Sequence, residues 1–148
     1  MNVSLTRLLD TRAPLARAAL AVRLAAGVTF LGFSLGKFIR HGAERAAFER
    51  YGIPFPDMAT YLIGGLELVG GTALLIGLLV RPFAFALACN MVGAISTAGR
   101  IDGGPVHLLL APTLLTGMLF LVWAGPGAAS LDGRLAARSL TGPPPGSA

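Results

Sequence analysis

Four apolar stretches of membrane-spanning length leave this chain few ways to fold. A helix needs about 20 mostly apolar residues to cross a bilayer. The stretches run from about Leu15 to Lys37, from about Thr60 to Leu79, from after Pro82 to about Thr97, and from about Pro105 to Trp123. In hydrocarbon every backbone N–H and C=O must find its partner inside the protein, so segments of this length fold as helices. Composition agrees. Hydrophobic residues make up 54% of the 148 and charged residues 13%, with a mean hydropathy of +0.71, against about 25% charged in soluble domains. The sequence therefore predicts an all-α fold, an integral membrane four-helix bundle. Short connections between the second, third and fourth spans favour up-down topology.

The expected domain covers residues 15–135, between a loosely held segment 1–14 and a flexible tail 136–148 that ends in GPPPGSA. The first span is read as retained rather than as a cleaved signal, because Arg23 interrupts it and no small-residue cleavage site follows. Arg81-Pro82 reads as a tight turn, with Pro82 in the first turn of the next helix. RIDGGP, residues 100–105, reads as a loop. The longest connection holds AERAAFERY, a short helix with Ala43, Ala46, Ala47 and Phe48 on its apolar side, lying on the bilayer surface or capping the bundle. Ile53-Pro54-Phe55-Pro56 then predicts extended backbone.

The net charge of +5 and pI near 10.7 come from arginines spread along the chain. They mark the ends of apolar runs, which points to lipid rather than nucleic acid as the partner. With the N-terminus inside, six arginines (7, 12, 17, 81, 134 and 138) flank the inner ends. Five cations (Lys37, Arg40, Arg45, Arg50 and Arg100) flank the outer ends. That small excess places both termini in the cytoplasm. Cys89 is the lone cysteine, which excludes an internal disulfide and a thiolate zinc site. No metal site and no catalytic residue is expected.

The polar residues inside the spans are the informative ones. An ionised side chain in hydrocarbon costs at least about 2.5 kcal/mol, so it faces the bundle and finds a partner. Glu67 sits in GGLELVGG, with Gly64 three residues before it and Gly70 and Gly71 three and four after. A strip without side-chain bulk lets another helix approach closely. On the first span Arg23, Gly27, Phe30, Ser34 and Lys37 fall on one helical stripe. Either Arg23 or Lys37 can partner Glu67. Lys37 is notable because the chain uses Arg eleven times and Lys once. The third span adds Asn90, Gly93 and Thr97, and the fourth brings His107 at its outer end. Two polar layers are expected: an inner one of Arg23 and Asn90, and an outer one of Ser34, Lys37, Glu67 and Thr97 with His107. Gly27, Gly64, Gly70, Gly71 and Gly93 are the expected helix-packing positions.

These segments together resemble the DoxX family of small four-helix bacterial membrane proteins, over about residues 16–135. The likeness lies in VRLAAGVTFLGFSLGKF, GGLELVGGTALLIGLLVRP, NMVGAI and the closing GPGAASLDGRL. Ser34 departs from it, standing where many relatives carry glycine. The resemblance implies a bacterial inner-membrane protein associated with redox chemistry, with a quinone as ligand or an oxidoreductase subunit as partner.

The chain lacks Cys-x-x-Cys, a dinucleotide-binding motif and a haem-ligand pair, so it carries no covalent cofactor of its own. Three functions fit the residues. The first is a redox-associated subunit that binds quinone or supports a partner enzyme. The second is a small transporter or export component, which at this size needs a homo-oligomer. The third is an assembly protein in which the ionic network locks the helices.

Overall fold

The apolar stretches become helices that run back and forth between two ends of a bundle. The computed structural model describes the backbone of residues 3–140 and the side chains of residues 14–135. Its helices are α1 (Val3–Ile39), α2 (His41–Arg50), α3 (Pro56–Ile76), α4 (Val80–Ser96), α5 (Ala98–Ile101), α6 (Ala111–Ala124) and α7 (Leu131–Leu140). A π-helical turn, Val106–Leu110, leads into α6. Among the described residues four segments are long and apolar enough to span a membrane: Pro14–Ile39, Pro56–Ile76, Val80–Ile101 and Val106–Ala124. The chain is an all-α integral membrane bundle.

α1 packs chiefly on α3 and α4 on α6, and α3–α4 and α1–α6 contacts close the ring. Phe30, Leu74, Leu87, Met118 and Leu121 fill its centre. The outward faces carry large apolar side chains such as Val28, Leu62, Val69, Phe85, Leu109 and Trp123. That inversion of a soluble surface is what lipid contact requires.

Glycines set the α1–α3 spacing. A Cβ on Gly27 would lie 3.0 Å from the Gly71 carbonyl oxygen, and one on Gly71 would lie 3.0 Å from that of Gly27. The two backbones meet with no room for side chains between them. Gly64 packs on Lys37 and Phe38, and Gly70 on Leu87 of α4. Gly93 differs from the expected packing role. A Cβ there would meet nothing within 4 Å.

One end of the bundle, the capped end, lies under α2. The inward face of α2 carries Glu44, Ala47 and Phe48, whereas Ala43 and Ala46 point outward. The expected apolar side is therefore rotated, because Phe48 is the side chain that inserts. Phe55 is left-handed (φ 51°) rather than extended. Pro56 denies it the right-handed helical region, and the short connection from α2 must turn into α3.

The opposite, tail end joins α3 to α4 through Gly77–Leu79, not Arg81-Pro82. Gly77 and Leu79 are left-handed (φ 75° and 49°), while Arg81 and Pro82 already lie in the first turn of α4. There Pro82 sacrifices no helical hydrogen bond. α7 runs from Leu131 to Leu140, so the expected boundary at 135 falls within a helix. The backbone of the expected loose N-terminal segment is helical from Val3. Residues 1–2 and the tail GPPPGSA lie outside the described residues.

Candidate functional site

The register of α1 on α3 explains which charged groups meet. Gly27 faces Gly71, and Ser34 Oγ donates to the Gly64 carbonyl oxygen at 2.9 Å. Carried three residues further, Lys37 lies level with Tyr61, and Glu67 lies six residues deeper, roughly 9 Å at 1.5 Å per residue. Side chains tilt toward the N-terminus of their own helix. The N-terminus of α1 is at the tail end and that of α3 at the capped end, so Lys37 leans down and Glu67 leans up. Lys37 Nζ reaches Glu67 Oε2 at 2.8 Å. Both residues are buried, at 9% and 3% exposure. Lys37 thus points into the protein instead of snorkelling to the interface, and its ammonium also lies 5.8 Å from the Phe33 ring centre.

Asn90 Nδ2 donates to the other Glu67 oxygen, Oε1, at 3.0 Å. This overturns the expected inner layer. Gly70 packs on Leu87, so three residues on Asn90 stands level with Glu67. It is eight residues, roughly 12 Å, from the level of Arg23. Counting from apparent span ends misplaced it because the ends are staggered. The α3–α4 turn sits beside Arg23, and α1 runs on past it.

Arg23 consequently does not partner Glu67. It leans toward the tail end, where its Nη1 donates to the Pro126 carbonyl oxygen at 2.6 Å and its Nη2 to that of Ala129 at 3.1 Å. Only 1% of its surface is exposed. Around it the 125–130 loop docks on α1, with Ala128 N–H donating to the Ala16 carbonyl oxygen at 3.1 Å. Asp132 closes the same end. Its carboxylate accepts the N–H groups of Leu79 and Val80 at 2.9 and 3.0 Å, satisfying the start of α4. The sequence offered no sign of that role, since the partners stand 52 and 53 residues apart.

Above the Glu67 pair lies a cavity of about 550 Å³. Lys37, Glu67 and Asn90 belong to its lining, as do Thr97 and His107. A second, smaller cavity of about 80 Å³ also touches Lys37, Glu67 and His107, so the ion pair borders both. Apolar surface comes from Phe33, Phe48, Ile63 and Val106, and Gly93 keeps its side of the wall open. Thr97 Oγ1 donates to the Gly93 carbonyl oxygen at 2.8 Å and His107 Nδ1 lies 3.1 Å from that of Gly103. Ser34 is used up in the α1–α3 tie and does not line the cavity.

Family membership rests on a further observation. The family model described as DoxX matches residues 18–100, more than half of the chain. The chain belongs to the DoxX family. It is similar to an uncharacterized membrane protein of Mycobacterium tuberculosis (strain ATCC 25618 / H37Rv), 36% identical over 149 residues that cover 90% of this chain and 89% of that protein. No solved structure matches it. The DoxX match takes in Arg23, Lys37, Glu67 and Asn90 and ends before His107 and Asp132.

Several contributors escaped the sequence reading. Glu44 and Tyr51, both on or just after α2, line the cavity of this DoxX protein. Tyr51 donates a hydrogen bond to Asp102, and Arg50 pairs with the same carboxylate at 3.3 Å. At the other end of α2, His41 Nε2 lies 2.8 Å from Asp57 Oδ1, and its ring stacks on Tyr61 with centres 4.1 Å apart. These contacts fasten α2 at both ends. The available signal was the helical face of α2 itself, on which Glu44, Phe48 and Tyr51 recur at four- and three-residue spacing.

Proposed function

We propose that this DoxX-family protein is a redox-associated component of the bacterial inner membrane that binds the head group of a quinone in the capped-end cavity. One observation carries the reading: a buried, hydrogen-bonded Lys37–Glu67–Asn90 cluster borders an apolar cavity of about 550 Å³. Small-molecule sites combine apolar walls with a few fixed polar groups, and this volume suits a single substituted ring. A quinone has two carbonyl oxygens to satisfy. Lys37 keeps N–H donors beyond the one given to Glu67, and Asn90 keeps the second N–H of its amide. Glu67 and Lys37 can exchange a proton with a bound hydroquinone oxygen, since each touches the other and both face the cavity. A partner oxidoreductase would take or give the electrons, because the chain has no redox group of its own. In this reading the capped end faces away from the cytoplasm.

The test is quinone content and affinity. The purified protein should yield quinone in solvent extracts above an empty-membrane control. Glu67→Gln should lower affinity by about tenfold, the loss of one charge-assisted contact. Equal quinone in control membranes and no saturable binding would remove the proposal.

A further inference from the structure

We infer that the ligand of this cavity is a lipid-dissolved molecule with a polar head and a long apolar tail, admitted sideways from the bilayer through a gap between α3 and α4. The inference rests on the cavity assigned above but not on the ligand being a quinone.

The two helices leave their turn at Gly77–Leu79 in contact, with Gly70 against Leu87. They are bridged once more by Glu67 and Asn90. Beyond that bridge, toward the capped end, Ile63 of α3 and Gly93 and Thr97 of α4 line the cavity. Gly93 is exposed, and a Cβ there would touch nothing within 4 Å. Cys89, one turn below, is also exposed and also lines the cavity. Both residues lie within the span Val80–Ile101, so their exposed surface is at hydrocarbon depth. Small side chains at this point leave the α3–α4 seam open where α1–α3 and α4–α6 are closed.

The water side is covered. α2 and Ile53 roof the cavity with Glu44, Ala47, Phe48 and Tyr51. The roof is pinned by His41 to Asp57 and by Arg50 and Tyr51 to Asp102. A water-soluble ligand would have to break those contacts. A molecule already in the bilayer needs only to slide past Gly93, place its head against Lys37 and Glu67, and leave its tail among the lipids.

Photolabelling of the full chain in lipid vesicles tests this directly. One vesicle set carries a phospholipid with a diazirine in its acyl chain. A second is exposed to a charged, water-soluble diazirine. Lipid-borne label should appear on Glu67, a good carbene trap, and on Phe33, as well as on outward residues such as Val69. Gly93→Leu should cut the Glu67 adduct by about fivefold while Val69 stays labelled, since a buried isobutyl group fills a gap of about one side chain. Ile63→Trp narrows the opposite lip and serves if Gly93→Leu does not accumulate. Lipid label confined to outward residues would overturn the inference. So would a Glu67 adduct that neither variant reduces, or stronger labelling of Glu67 by the charged reagent. Failure of quinone binding alongside lipid-borne labelling of Glu67 would sink the quinone reading and leave the portal standing.

Discussion

Lys37 and Glu67 form a 2.8 Å ion pair across a depth difference of six residues, because antiparallel helices tilt their side chains toward each other along the membrane normal. The same rule sends Arg23 down as well, away from Glu67 and toward the tail end. One stripe on α1 therefore serves two ends of the molecule, with Lys37 reaching down to the cavity and Arg23 reaching down to the 125–130 loop.

Removing one member of the pair should cost more than removing both. Glu67→Ala strands the buried Lys37 ammonium, and loss of one partner of a buried pair typically costs about 3–5 kcal/mol. Lys37→Met with Glu67→Leu should recover most of that loss, leaving Asn90 without its acceptor. Unfolding in mixed micelles of increasing denaturing detergent measures both. Equal stability of the single and double variants would show that the charges are not paired in the membrane.

Arg23 acts as a clamp on the tail end. Its two hydrogen bonds to backbone carbonyls are charge-assisted, worth about 1.5–3 kcal/mol each. Arg23→Ala should lower stability by roughly 3 kcal/mol and speed protease cleavage between Gly125 and Ser130. Ligand affinity at the cavity should not change. A variant with normal proteolysis and lost affinity would place Arg23 in the ligand site instead.

The glycines separate into two groups by what surrounds them. Gly27→Val or Gly71→Val pushes a side chain into a facing backbone, where overpacking costs about 1–3 kcal/mol. Gly93→Ala should change stability by less than about 0.5 kcal/mol, as is usual for sites without close neighbours. Accumulation and thermal unfolding in detergent rank the three variants, and the reverse order would contradict the packing described.

The Tyr51–Asp102 contact carries a pH signature. Burial first, then the hydrogen bond to Asp102 and its charge, push the Tyr51 hydroxyl above its ordinary value. A folded pKa above the unfolded one means that this contribution to stability is complete below pH about 10 and is lost as pH rises through the folded value. Tyrosinate absorbance during alkaline titration, taken as the difference between wild type and Tyr51→Phe, should show a midpoint above that of a free tyrosine. A midpoint at or below it would mean that the roof is not pinned there.

The sequence by itself determined the membrane, the number of spans and the grouping of Ser34, Lys37 and Glu67 toward one end. Those follow from local quantities: the length of apolar runs, the penalty on charge in hydrocarbon, and helical spacing within one segment. It also marked Gly27, Gly64, Gly70 and Gly71, because a residue without a side chain at helical spacing has one obvious use between membrane helices. What it left open was the vertical offset between helices. Nothing in one segment says how far another has slid past it, and a shift of eight residues decides whether Asn90 meets Arg23 or Glu67. Arg23 found loop carbonyls, and Asp132 found the start of α4, across about a hundred and about fifty residues of chain. The cavity was decided in the same way. Its roof, its polar border and its open seam come from five separate segments, and only the tertiary arrangement brings them around one space.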